Sequence, residues 1–420
     1  SDQSTMFTSE LAFPVTTSPT DIATFLKTDG TQVVFSTYQS SQRVAEALAL
    51  CPGADFDLVI GDEAHRCAGK VSSDYGTVLD NALIPAKKRL FMTATPRTYS
   101  EHIRSRARDQ DIVVASMDDE AVFGPVVHHL TFGQAIEDEL LTDYQILVIG
   151  VDDARFQEMV NARELVITET GIEANAKTMS AHVAMAKAIR DYDLRRTISF
   201  HSRVKSARDF ADTLPQVIDW LAPEHRPPGT VKADAVSGKM PTGRRNARLN
   251  ALRQVTDNEH GVLANARCLS EGIDVPTLDG VAFIDPRRSQ VDIVQAVGRA
   301  IRLSEGKTKG TIMIPVYLAD DEDPETALSG SKFEPIWAVV KALRAHDENM
   351  GEALDALRTQ LGREGRRGQL PSKFVLDLPT TIGGDFADAF ETRLVEATTS
   401  SFEFGLGVLQ AFVEREGHAR

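Results

Sequence analysis

The sequence predicts an α/β protein built from two parallel-sheet domains in tandem and a helical extension. Three observations carry this. Short runs rich in Val, Ile, Leu and Phe recur from TQVVFST (31 to 37) to GTIMIPVYL (310 to 318). Several are apolar throughout instead of alternating, as expected for parallel strands covered on both faces. Segments with helical spacing separate them, as in Ala176–Asp193, where Met179, Val183, Ala186 and Ile189 share one face.

In chain order the strand candidates are 31–37, FDLVIGD (56–62), KRLFMTA (88–94), IVVAS (112–116), ILVIGV (146–151), RTISFHS (196–202), GVLAN (261–265), GVAFID (280–285) and 310–318. These are too many for one comfortable sheet. TFGQAIEDELLTD (131–143) reads as a helix that closes the first domain, so the first domain is placed at 1–143 and the second at 144–320. Val204–Leu214 reads as a further helix. The acidic run ADDEDPE (319–325) breaks the rhythm, 333–360 reads as long helices and GREGRRGQLPSK (362–373) as an exposed linker, giving a helical extension over 321–400. Residues 401–420 begin another helix.

Composition excludes several classes. The 420 residues are 42% hydrophobic and 25% charged, ordinary for globular domains. No apolar run approaches the roughly 18 residues that a membrane span needs, and the start has no signal-peptide pattern. Three scattered cysteines, Cys51, Cys67 and Cys268, fit a reducing cytosol. A net charge of −15 argues against a chain coated in basic surface, while leaving room for a local phosphate-binding groove. The absence of an initiator Met at Ser1 suggests a piece of something longer.

The chemistry is concentrated in a few stretches. LVIGDEAHRC (58–67) runs an apolar strand into Asp62 and Glu63, and a carboxylate at the carboxyl end of a parallel strand faces the ligand cleft of an α/β sheet. Magnesium takes oxygen ligands, so Asp62 can hold it while Glu63 orients and deprotonates a water. For a lone DEAH tetrapeptide, an acidic strand end without a ligand is an equal competitor. RLFMTATPR (89–97) brings the hydroxyls of Thr93 and Thr95 to a second strand end, within reach of His65 or Glu63. In QAVGRAIR (295–302), Gln295, Arg299 and Arg302 fall on one helical face, a fork for phosphate oxygens.

In this order and spacing the blocks resemble the signature of superfamily 2 helicases and translocases, whose two RecA-like domains clamp ATP between them. DEAH (62–65) resembles motif II, TATP (93–96) motif III, ISFHSRVKSARDF (198–210) motif IV, NARCLSEGIDVPTLDGVAFIDPRRS (265–289) motif V and its continuation, and QAVGRAIR motif VI. The resemblance implies that Asp62 coordinates Mg2+, Glu63 is the base, and His65 with Thr93 and Thr95 couples hydrolysis to closure. It places Gly272 and Asp274 near the nucleotide, and Gln295, Arg299 and Arg302 near the γ-phosphate, with Arg302 as the finger. VTTSP (15–19) and FSTYQS (35–40) resemble motifs Ib and Ic. Thr16, Thr17, Ser36, Thr37, Gln39, Ser202, Arg203 and Ser270 are therefore the implied strand contacts, which position a phosphate backbone without reading sequence.

Within that superfamily the chain is most similar to the type III restriction "res" group and to large bacterial DEAD/DEAH-box proteins with helicase-associated repeats, whose first helix FGLGVLQAFVEREGHAR (404–420) resembles. The implied activity is ATP- and Mg2+-dependent movement on nucleic acid, DNA in preference to RNA, with nuclease or other domains as expected neighbours in the full-length chain. A phosphate loop, G-x-x-x-x-G-K-S/T, is missing. SEGKTKG (304–310) fails because Ile301 stands where glycine is needed, and VSGKM (236–240) fails at Ala233 and Met240. The first RecA-like domain is thus expected to be N-terminally incomplete and these 420 residues inactive alone. A non-hydrolysing nucleic-acid-binding or regulatory module and an RNA helicase are the alternatives.

Overall fold

The computed structural model describes residues 15–70, 74–108, 113–152, 176–266, 277–285, 289–318, 328, 333–366, 368–379 and 384–418. The chain divides into two compact units, Ser1–His129 and Leu130–Arg420.

In the first unit, β1 (Phe56–Gly61), β2 (Gly69–Lys70), β3 (Ala86–Phe91) and β4 (Val114–Ala115) form two small sheets. β1 and β3 pair in parallel, with Phe56 opposite Ala86 and Gly61 opposite Phe91, while β2 and β4 pair antiparallel. Val59 of β1 packs with Val44, Leu48 and Ile84, beneath the helix Ser41–Ala49. The other face of β1 is open, with Leu58 and Ile60 50% and 55% exposed. Coverage on both faces, expected from the apolar run, is therefore absent among the described residues here. The predicted strand at 31–37 also differs. It has no ladder partner among the described residues, and Val33 and Phe35 are exposed while Val34 packs with the Val44 cluster. Its β-branched pattern gives an extended backbone, but an apolar side chain on each face is not enough to recruit a neighbouring strand.

The second unit is built on one parallel sheet of β5 (Asp143–Asp152), β6 (Arg196–Phe200), β7 (Thr230–Ser237), β8 (Glu259–Ala266), β9 (Gly280–Phe283), β10 (Lys309–Leu318) and β11 (Phe374–Asp377), in the order β11-β5-β10-β9-β6-β8-β7. Here both faces are filled. Tyr144, Ile146 and Val148 of β5 enter one core, with the helices Gln290–Ala300 and Glu334–Arg344, while Leu147, Ile149 and Val151 enter the other, with Ala176–Tyr192 and Val204–Trp220. Side chains of this size stabilise by about 1.5–3 kcal/mol each when fully buried, so the alternating pair of cores fixes the register of the central strands.

Edge elements depart from the sequence reading. β7 is not evident because Lys232 and Asp234 interrupt its apolar pattern, as an edge position allows, and β11 because it is only four residues long and ends at Asp377. β11 places part of the anticipated extension in the sheet. It is held by the buried Asp347, which accepts from Tyr144 Oη at 2.6 Å and pairs with Lys373 at 3.0 Å. Thr131 caps a helix of only six residues, Phe132–Glu137, and this helix belongs to the second unit. Phe132 N donates to His346 O at 2.7 Å and Asn349 to Glu137 at 2.9 Å. Val204–Trp220 outlasts its predicted end at Leu214 because Val217, Ile218 and Leu221 stay buried. Among the described residues no helix is long and apolar enough to cross a membrane.

Candidate functional site

The first unit gathers its polar residues where β1 and β3 end. Met92 N donates to Gly61 O at 2.9 Å and Ala64 N to Met92 O at 2.8 Å, so the chain leaving one strand is tied to the chain leaving the other. Asp62 is exposed and its Oδ1 accepts from Glu63 N at 2.9 Å. Glu63 has left-handed backbone angles, φ 50° and ψ 44°. A non-glycine residue pays of order 1–3 kcal/mol there, and such strain is concentrated at functional turns.

His65 is buried behind this turn. Its Nδ1 lies 3.1 Å from Thr93 Oγ1 and 3.3 Å from Glu63 Oε2, and Thr93 Oγ1 also accepts from Thr95 N at 3.1 Å. The reach expected between His65 and the threonine hydroxyls is thus present for Thr93. Thr95 Oγ1 is buried and has no hydrogen-bond partner among the described residues. The adjacent carboxylates of Asp62 and Glu63 supply oxygen donors of the kind that suit a hard divalent cation whose shell is completed by water and phosphate, although among the described residues no group of three or more His, Cys, Asp or Glu side chains converges on one point. Asp62 would hold the cation.

In the second unit the carboxyl ends of β6 and β9 are joined by Asp285. Its Oδ2 accepts from Ser202 N at 3.3 Å, Ser202 Oγ at 3.2 Å and Ser206 Oγ at 3.0 Å. Ser202 and Arg203 are exposed at the start of Val204–Trp220. Beside them His201 is buried, with Nε2 3.0 Å from Ser199 Oγ, and burial pulls its pKa down to about 4. Asp285 escaped the sequence reading because its hydroxyl partners, Ser202 and Ser206, lie 83 and 79 residues away in the chain. Gly272, Asp274 and Ser270 lie outside the described residues.

The helix Gln290–Ala300 carries Gln295, which is half-buried, and Arg299, which is buried, one turn apart. Arg302 corrects the expected three-residue face. The helix ends at Ala300, and Arg302 lies beyond it in an antiparallel bridge with Leu141, its side chain exposed. At this end the carbonyls without an intrahelical partner are capped from elsewhere: Thr142 N donates to Ile301 O at 2.7 Å, and Lys307 Nζ donates to Ala300 O and to Arg302 O. Lys307, from the stretch rejected as a phosphate loop, is thus a cap for the arginine helix.

The remaining strand-contact candidates are all exposed. Thr16 Oγ1 donates to Asp21 at 3.1 Å, and Thr17 is exposed beside it, ahead of the helix Pro19–Leu26. Ser36 Oγ donates to Thr37 O at 3.0 Å, Thr37 Oγ1 to Ser40 Oγ at 3.2 Å, and Gln39 Nε2 to Tyr75 Oη at 2.7 Å. His128 and His129 are exposed in an irregular segment.

Comparison with known proteins gives a consistent picture. Residues 5–98 match the family described as type III restriction enzyme, res subunit, and residues 183–304 match the helicase conserved C-terminal domain. A "Probable helicase" of African swine fever virus is 25% identical over 359 residues, 84% of this chain and 36% of the viral protein. The chain therefore spans about a third of that relative's length, 36%. The solved ATP-dependent Type ISP restriction-modification enzyme LlaBIII bound to DNA superposes with a TM-score of 0.69 at 30% identity, covering 91% of this chain and 26% of that one. A nuclease-deletion mutant of the Type ISP enzyme LlaGI, in complex with a DNA substrate mimic, shares the fold with a TM-score of 0.56 at 24% identity, over 92% of this chain and 24% of its own.

Proposed function

Since the chain belongs to the superfamily 2 helicases of the type III restriction-like kind, we propose that it is the motor portion of an ATP-driven translocase or helicase acting on DNA. The observation that carries this is the cluster at the ends of two paired parallel strands in which His65 Nδ1 lies 3.1 Å from Thr93 Oγ1 and 3.3 Å from Glu63 Oε2, with Asp62 beside it. The DNA-bound state of the LlaBIII structure supports DNA as the track.

In this reading Asp62 holds Mg2+, which when bound neutralises phosphate charge. Glu63 orients a water and takes its proton as the water oxygen attacks the γ-phosphorus and ADP leaves. His65 and Thr93 hold Glu63 in place and register its change of charge. Gln295, Arg299 and Arg302 are the candidate γ-phosphate contacts, Arg302 as the finger, and Gly272 and Asp274 the candidate nucleotide contacts. Thr95 assists the coupling. Thr16, Thr17, Ser36, Thr37, Gln39, Ser202, Arg203 and Ser270 contact the strand, with Asp285 orienting Ser202. No phosphate loop occurs in these 420 residues, so we place the phosphate cradle outside them and expect weak ATP binding by this chain alone.

The test uses the full-length protein. Its ATPase is measured with duplex DNA, single-stranded DNA and RNA, for the wild type and for Glu63→Gln. Stimulation by DNA, with ATP binding kept and turnover abolished in the variant, is the expected result. An absence of nucleic-acid-stimulated turnover would favour the non-hydrolysing binding module, and stimulation by RNA alone would reassign the track.

A further inference from the structure

Between the residues expected to touch the strand and those expected to handle magnesium stands a side chain with no role so far. Tyr38 lies inside FSTYQS, between Thr37 and Gln39, and its hydroxyl donates to the main-chain oxygen of Asp62 at 2.6 Å. We propose that Tyr38 is a positioning residue whose hydroxyl locks the Asp62–Glu63 peptide plane and transmits to it the state of the strand-contact loop. The consequence for turnover rests on the function proposed above, while the lock itself is a property of the first unit.

The geometry explains why one hydroxyl suffices. A peptide is planar, so fixing the Asp62 carbonyl fixes both ψ of Asp62 and φ of Glu63. Glu63 is the residue held at φ 50°, a conformation that survives only where its surroundings over-determine it. Two further bonds hold the same turn, Glu63 N to Asp62 Oδ1 at 2.9 Å and Ala64 N to Met92 O at 2.8 Å. Both come from strand ends or from the turn itself. The Tyr38 bond instead comes from the loop at 36–40.

Room for the hydroxyl depends on Gly61, since a Cβ there would stand 3.1 Å from Tyr38 Oη and 3.0 Å from the Phe91 ring. The loop end of the link is equally defined. Ser41 Oγ donates to Tyr38 O at 2.7 Å, Ser40 N donates to Thr37 O at 3.0 Å, and Gln39 reaches Tyr75, whose ring centroid is 6.0 Å from that of Tyr38. A phosphate that drew Thr37 or Gln39 toward it would move Tyr38 with them.

Two measurements on Tyr38→Phe, which keeps the ring, test the proposal. The first needs no activity. Amide hydrogen exchange over residues 61–67 of this chain should speed by at least about tenfold, with Val204–Trp220 unchanged. Unchanged exchange at 61–67, or a general rise across the chain, overturns the lock. The second measures DNA-stimulated ATPase in the full-length protein. Maximal stimulated turnover should fall by about tenfold or more, while DNA affinity and KM for ATP stay within about twofold. Stimulated turnover within twofold of wild type, or a matching loss of DNA affinity, overturns the transmission. A wild type without any stimulation instead overturns the proposed function and leaves the exchange result to decide the lock.

Discussion

The Lys307 ammonium donates to the main-chain oxygen of Arg302 at 3.0 Å, closing a cap that also engages the carbonyls of Ala300 and Leu278. This bond, with the bridge from Leu141, is what sets Arg302 outside the helix that carries Gln295 and Arg299. Lys307→Met removes a donor from the carbonyls of Ala300 and Leu278, while Arg302 O still accepts from Thr142 Oγ1 at 3.3 Å; a lost donor costs about 1–3 kcal/mol per buried group. A loss of about 2–4 kcal/mol in chemical denaturation is expected. A loss below about half a kilocalorie would mean that water replaces the cap.

At Glu63 the backbone, and not only the carboxylate, is under selection by geometry, because φ is 50°. Glu63→Ala and Glu63→Gly both remove the side chain, yet only glycine enters the left-handed region freely. The glycine variant is expected to be the more stable of the two by about 1 kcal/mol, despite its greater freedom when unfolded. Equal stabilities, read from urea midpoints, would show that the turn relaxes once the carboxylate is gone.

His201 supplies a pH dependence with a definite sign. Burial, assisted by His182 and opposed by Asp285, lowers its pKa from 6.5 to about 4 in the folded chain. Between those values the unfolded chain binds the extra proton, so stability rises with pH and is lost as pH falls from 6.5 toward 4. The loss from this group is at most about 3 kcal/mol. Denaturation of wild type across that window should show the slope, and His201→Asn should flatten it. An unchanged slope would assign the effect to other groups.

The helices Glu348–Glu364 and Ser401–Glu416 cross backbone to backbone. A Cβ on Gly407 would lie 1.9 Å from Thr359 O, and one on Gly362 would lie 2.1 Å from Phe404 O. Gly407→Ala is therefore expected to push the last helix away and open residues 401–418 to limited proteolysis, while the seven-stranded sheet keeps its circular-dichroism signal. Proteolysis at the wild-type rate would refute close packing at this crossing.

Much of this was legible in residue order. The runs around Ile146, Leu263, Val281 and Ile312 are apolar on consecutive positions, and the sheet of the second unit covers them on both faces. DEAH and TATP ended strands as read, and the His65–Thr93 bond follows from those strand ends being neighbours. β7 was hidden because an edge strand tolerates Lys232 and Asp234, and β11 because it is only four residues long and ends at Asp377. The misplaced face of Arg302 has another cause. Helical spacing assumes that the helix continues, and its end is capped by Thr142 and Lys307, residues distant from it or following it.

The sequence by itself determined the class of fold, the order of the chemical blocks and the residue types that could serve magnesium, water and phosphate, because these depend on local periodicity and on functional groups at fixed spacing. Tertiary structure alone decided which groups hold those residues in position. Tyr38 against Asp62, Asp285 against Ser202 and Lys307 against Arg302 lie 24, 83 and 5 residues apart. In each a side chain meets a backbone or hydroxyl group that no pattern marks, since nearly every residue carries a carbonyl and only packing selects the one that is capped.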